Sequence, residues 1–229
     1  MKEEFDAVIV ANGLFPSHTI PLDILHHAAH LIACDGAIAP LRMEGLGEAL
    51  IIGDGDSVPD EYRNRLICIE EQDDNDLTKA TRYCLSQGWQ KIAYLGATGL
   101  REDHTLGNIS LLMRYYREMN VKGMMFTDYG FFTPAYGNRT FSTMKGQQVS
   151  IYNFGCHQLS SEGLRWDCYN FDQWWQGTLN EALNDTFSIT ADGYYLVYQT
   201  YKPKESRGRF CEVNPESWTQ LKGSNEKGI

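Results

Sequence analysis

Short apolar runs that break off at strand length recur through the first half of the chain: "DAVIVA" (6–11), "LIAC" (31–34), "EALIIG" (48–53), "RLICIE" (65–70) and "KIAYLG" (91–96). Each is too short for a buried helix, rich in β-branched residues and closed by polar or glycine-containing turns, which is the pattern of a strand covered on both faces. Helical patterns fall between some of them. "PLDILHHAAH" follows Pro21, and "DLTKATRYCLSQG" carries Leu77, Ala80, Cys84 and Leu85 as an apolar stripe, with cap candidates at Asp73 to Asn75 and a stop at Gly88. "HTLGNISLLMRYYREM" places Leu106, Ile109, Leu112 and Met113 on one face. Strands alternating with helices predict a mainly parallel sheet with helices on both sides.

From about residue 130 the texture changes to aromatic and β-branched segments with a period of two, as in "QQVSIYNF" and "TFSITADGYYLVYQTY". This half reads as all-β. Pro134 and two glycines in "DYGFFTPAYGNR" break regular structure, so the expected division is an α/β domain over 1–131 and a β-sandwich domain over 132–229. The tail "KGSNEKGI" reads as disordered.

The 229 residues carry a formal charge of −10, which disfavours nucleic acid as a partner because phosphate backbones are repelled. The acidic start "MKEEFDAVIV" lacks the basic opening of a signal peptide, and no apolar stretch approaches the length of a membrane span. A cytoplasmic protein with no membrane partner is expected. Six cysteines without a C-x-x-C pair read as reduced thiols packed in the core.

Acidic residues follow the strands. Asp35 follows "LIAC", Asp54 and Asp56 follow "ALIIG", Asp73 and Asp76 follow "RLICIEEQ", and Asp103 follows "IAYLGATGLRE". The carboxyl ends of parallel strands share one edge, and ligands bind in the crevice outside it. Several turns therefore aim acids into one place. Two carboxylates about 4 Å apart repel by roughly 4 kcal/mol at an effective dielectric near 20, so the cluster calls for a cation. Oxygen donors without His or Cys at metal spacing favour Mg²⁺, and Mg²⁺ held by a few carboxylates generally serves substrate phosphates. An extended D-x-D directs both side chains to one face, which would let Asp54 and Asp56 reach the same ion. Gly53, Gly55, Gly96 and Gly99 permit close backbone approach to an anion, and Lys79 and Arg101 are cations suited to phosphate oxygens.

Other phosphate-binding motifs are missing. The chain has no G-x-x-x-x-G-K-[ST], and its first strand runs into "ANGLFPS" rather than G-x-G-x-x-G. His26 and His30 in "HHAAH" lack the glutamate of a metalloprotease motif and read as ordinary helix residues.

Taken in order, "ACDGA" (33–37), "GDGDS" (53–57), "QDDNDLTKA" (72–80), "GATGLREDHTLGNISLL" (96–112), "EGLRW" (162–166) and "GTLNEA" (177–182) resemble the thiamine pyrophosphokinase family. The resemblance implies an ATP-binding α/β domain, a β-sandwich domain, and a homodimer with a composite active site that holds thiamine between subunits. It implies transfer of a pyrophosphoryl group from ATP to thiamine, giving thiamine diphosphate and AMP. By the same resemblance Asp35, Asp54, Asp56, Asp73, Asp76 and Asp103 surround the metal, and Asp54, Asp56, Asp76, Asp103 and Arg101 carry the chemistry. ATP contacts would come from Asp35, Gly36, Gly53, Ser57, Lys79, Gly96, Thr98 and Arg101, and thiamine contacts from Gln72, Thr178 and Asn180.

The chain departs from the family pattern at Ala37 and at Gly99-Leu100, and it reads "GTLN" where the family has S-x-S-N. Trp166 reads as core packing. Trp174 and Trp175 are adjacent, so in a strand only one could face inward. A nucleotide-binding protein without catalysis and a Mg²⁺-dependent phosphohydrolase are the rival readings, and the retention of every metal-site acid weighs against the first.

Overall fold

The computed structural model describes residues 4–69 and 73–204. The expected strands of the first half form as β1 (Ala7–Val10), β2 (Leu31–Cys34), β3 (Leu50–Gly53), β4 (Leu66–Cys68) and β5 (Lys91–Leu95). A sixth, β6 (Lys122–Phe126), reads "KGMMF" and has no β-branched residue to announce it. The helices are α1 (Thr19–His26), α2 (Ile38–Met43), α3 (Asp76–Ser86) and α4 (Glu102–Met119). Asn75 caps α3, accepting from the Thr78 backbone at 3.0 Å.

The order β6-β5-β1-β2-β3-β4 is parallel throughout, with β1 at the point where the winding reverses. Alternate residues of β1 divide between two layers. Ile9 packs with Leu77, Cys84, Leu112 and Tyr115 beneath α3 and α4, whereas Val8 and Val10 pack with Leu25, Ile38 and Leu41 beneath α1 and α2. On α4 the stripe is Ile109, Leu112 and Met113; Leu106, expected on it, is exposed.

The second half is β-rich: β7 (Gly130–Tyr136), β8 (Arg139–Ser142), β9 (Gln147–Asn153), β10 (Leu159–Glu162), β11 (Asn180–Glu181), β12 (Thr186–Ala191) and β13 (Tyr194–Pro203). β11-β9-β13-β7 joins β6 antiparallel, through Met125↔Phe132 and Phe126↔Phe131, so one ten-stranded sheet runs across both halves. A three-stranded sheet, β10-β12-β8, lies over one face of its second half, and Phe141, Ile151, Phe187, Ile189 and Val197 fill the space between. On the opposite face Phe132 and Leu196 enter the same core as Ile9 and Tyr94.

Two aromatic expectations are corrected. Trp166 is 55% exposed rather than packed in the core. Trp174 and Trp175 belong to a 3₁₀ turn (Trp174–Gly177), not a strand, and both remain exposed. Four cysteines (34, 84, 156 and 168) are buried thiols as expected, while Cys68 is exposed. Cys211 and the tail lie outside the described residues. No helix among the described residues is long and apolar enough to cross a membrane.

Candidate functional site

β2 delivers Asp35 into a left-handed conformation, φ +40°, that L residues other than Asn and Asp rarely adopt. Such strain is held where the surroundings over-determine it, and here they do. Asp35 is 4% exposed, and the backbone N–H of Gly55 donates to its Oδ1 at 3.2 Å. Next door, Gly36 has no room for a side chain, since a β-carbon would stand 2.7 Å from Asn12 Nδ2 in the loop after β1.

β3 ends at Gly53, and Gly55 turns the chain with φ +87°. The segment is therefore a turn rather than an extended D-x-D, and alternation does not govern where its acids point. The Asp56 backbone N–H donates to Asp54 Oδ1 at 3.1 Å, while Asp56 itself and Ser57 are exposed.

After β4 the chain re-enters the site at the first turn of α3, which supplies Asp76. Among the described residues Asp35, Asp54 and Asp76 form the group of acids that could hold a metal ion, each offering a carboxylate oxygen within 4.8 Å of the others. Asp56, Asp73 and Asp103, expected in the same cluster, are exposed and stand outside it. Burial, reinforced by the charge of Asp76, pushes the Asp35 carboxyl up to about 6. Burial likewise raises Asp76, against the pull of Lys79.

Lys79 is the internal counter-charge. Its side chain is 2% exposed, with Nζ 3.3 Å from Asp76 and 3.9 Å from Asp54. One ammonium facing three carboxylates leaves a net negative pocket, and three oxygen donors of this kind suit a hard cation.

The loop after β5 closes the next side. Gly96 has φ +61°, its carbonyl accepts from Gly13 at 2.7 Å, and the Thr98 carbonyl accepts from Leu14 at 2.8 Å. Arg101 caps α4 and forms an exposed pair with Asp103, Nη2 to Oδ2 at 2.6 Å, which holds the Asp103 carboxyl below the usual carboxylate range.

A chain of amides that sequence reading missed ties these turns together. Asn75 Nδ2 donates to Asn108 Oδ1 at 3.1 Å, and Asn108 Nδ2 donates to the Ala97 carbonyl at 2.8 Å. Asn108 is buried on a helix otherwise packed by apolar residues, and a polar residue on an apolar stripe was the available signal.

Of the three expected thiamine contacts, Gln72 lies outside the described residues. Thr178 donates its hydroxyl to the Trp175 carbonyl at 2.7 Å. The Asn180 amide clips the Trp166 backbone in both directions, donating to its carbonyl at 2.7 Å and accepting from its N–H at 3.2 Å. The departures from S-x-S-N acquire a local account at Gly177, where a β-carbon would stand 1.9 Å from the Ile151 carbonyl oxygen of β9. Leu179 is 70% exposed at φ +63°.

Comparison with known proteins agrees with this arrangement. A family model described as the catalytic domain of thiamin pyrophosphokinase matches residues 22–123, and one described as its substrate-binding domain matches 130–198. Thiamin pyrophosphokinase 1 of Caenorhabditis elegans is 30% identical over 105 residues, covering 41% of this chain and 43% of that relative's length. Among solved structures, the thiamine pyrophosphokinase of Bacillus subtilis superposes with a TM-score of 0.70 at 21% identity, covering 85% of this chain and 98% of that one. The yeast enzyme superposes with a TM-score of 0.69 at 16% identity, covering 87% of each. With one family's two domain models matched in order along most of its length, and the site acids on turns of the matched catalytic domain, the chain belongs to the thiamin pyrophosphokinase family.

Proposed function

We propose that this chain transfers the pyrophosphoryl group of ATP to the hydroxyl of thiamine, using Mg²⁺ and working as a homodimer with thiamine between subunits. The observation that carries the reading is the cluster of Asp35, Asp54 and Asp76 around the buried Lys79 ammonium, on turns of the matched catalytic domain.

The donor set fits Mg²⁺, which would neutralise the phosphate oxygens of ATP when bound. Asp35, Asp54 and Asp76 would hold it. Lys79 sits beside those acids as a fixed positive charge for the phosphates. Arg101 is exposed and can exchange Asp103 for a phosphate oxygen as ATP arrives. A new bond forms from the thiamine oxygen to the β-phosphorus, the bond from that phosphorus to the oxygen it shares with the α-phosphate breaks, and AMP departs with that oxygen. The hydroxyl proton passes to a carboxylate, for which Asp76 and Asp103 are the candidates. Asp103 is the weaker acceptor for as long as it stays paired with Arg101.

The dimer is supported by the aromatic surface around "GTLN", where Trp166, Trp175 and Leu179 are each more than half exposed. The cytoplasm remains the expected compartment. Incubation with ATP, Mg²⁺ and thiamine tests the reaction: AMP should form only when thiamine is present. ADP as the product, or AMP formed equally without thiamine, overturns it.

A further inference from the structure

At the edge of the sheet opposite the acid cluster, β5 and β6 begin side by side with Lys91 and Lys122 as register partners. Like charges directly across a strand pair destabilise it, and nothing among the described residues compensates this pair. Among the described residues neither ammonium has a carboxylate within ion-pair distance. The nearby Asp6 carboxylate is turned onto the backbone N–H groups of Gln90 and Lys91 instead.

Both lysines line a cleft of about 440 Å³ together with Arg139, whose guanidinium lies over the Phe141 ring, donates to the Pro134 carbonyl at 3.3 Å and has no carboxylate partner among the described residues. Thr133 lines the same cleft. It is 8% exposed, and its hydroxyl makes no hydrogen bond to any described residue. As a lining residue it can offer its hydroxyl as a further donor to a ligand in the cleft. Glu4 is the one acid among the described residues on the rim, and Tyr116 forms part of the wall. In a chain with a formal charge of −10, three cations around one cleft, none ion-paired among the described residues, make a local attractor for anions on a repelling surface.

We infer that this cleft is a second anion site, taking a phosphate group that is either free or carried on a small molecule. The inference is independent of the proposed reaction, because the parallel strands place the cleft at their amino ends and the acid cluster at their carboxyl ends.

Calorimetric titration in EDTA tests it, because removing metal weakens phosphate binding at the acid cluster, and comparison with cleft variants isolates what the cleft itself binds. Inorganic pyrophosphate should bind the full chain, and more weakly as salt is raised. Lys91→Gln with Lys122→Gln should lower the affinity by about tenfold or more, and Thr133→Val should lower it by several-fold while the melting temperature is retained. A parallel titration with AMP separates the sources, counting only the binding that the double variant loses, because AMP is also a product of the proposed reaction. Tighter binding than pyrophosphate assigns the site to a phosphorylated organic molecule, and weaker or equal binding assigns it to the free anion. No binding in EDTA overturns the inference, as does affinity unchanged in the double variant. An equal loss on Lys145→Gln with Lys202→Gln, two exposed lysines elsewhere, would show diffuse attraction and overturn it too.

Discussion

The Asp35 carboxylate occupies the space in which a side chain at Gly53 would sit: a β-carbon there would stand 1.8 Å from Asp35 Oδ1. The last residue of β3 is thus a glycine for the sake of the acid that directly follows β2. Gly53→Ala should push Asp35 out of the cluster and cost about 1–3 kcal/mol of stability through overpacking. Mg²⁺-dependent turnover should fall with it, and steady-state rates beside a thermal melt check both. An alanine variant with parental activity would show that Asp35 does not need this position.

Lys79→Met removes the counter-charge from three crowded carboxylates. In EDTA the variant should lose about 3–5 kcal/mol, the scale for breaking one partner out of a buried ion pair. Added Mg²⁺ should return part of that loss. Melting curves with and without the ion decide the matter, since a loss unaffected by Mg²⁺ would mean that the cluster does not bind it.

Asn108→Ala removes the partner of the Ala97 carbonyl and of the Asn75 Nδ2 donor. A destabilisation of about 1–3 kcal/mol is expected. The loop after β5 should loosen as well, and hydrogen exchange at residues 96–101 should rise more than at β2. A uniform rise across the chain would reduce Asn108 to general packing.

Much of this arrangement was legible in the sequence, and the limits have physical causes. Runs such as "LIAC" and "ALIIG" announced their strands because parallel strands are buried on both faces, and the acids after them were placed on one edge by topology alone. Asp56 stands apart from the cluster because Gly55 turns the chain with φ +87°, where an extended D-x-D would have aimed both acids the same way. Sequence order misplaced Asp73 and Asp103 because it gives the edge a residue reaches but not its distance from the ion. Strand β6 escaped notice because "KGMMF" earns its place by pairing between β5 and β7, not by composition. Trp166 was misplaced by its size: the backbone clip from Asn180 fixes its loop and leaves the ring outside.

Leu179→Gly should raise the melting temperature, since a leucine at φ +63° carries a cost on the order of 1–2 kcal/mol that glycine avoids. If the exposed side chain meets thiamine, KM for thiamine should rise while the metal dependence stays unchanged. A gain in stability with no change in KM would confine Leu179 to a structural role.

Mixing Asp54→Asn with Thr178→Arg tests the shared site. Each variant alone should be inactive, and after subunit exchange the mixture should recover roughly a quarter of parental activity, because half of the random dimers are mixed and each of these has one intact site. A mixture as inactive as its parts, with exchange verified by light scattering and mass spectrometry, would exclude a site built from two chains.

The seam between β6 and β7 bears on how such proteins can be recombined. Met125↔Phe132 and Phe126↔Phe131 join the halves within a single sheet, and Phe132 and Leu196 from the later half complete the core around Ile9 and Tyr94 of the earlier one. The catalytic half is therefore not a cassette that can be lifted out at a linker. A chimera carrying a foreign second half would have to supply matching apolar surface at positions 132 and 196 before its first half could close over its own hydrophobic interior.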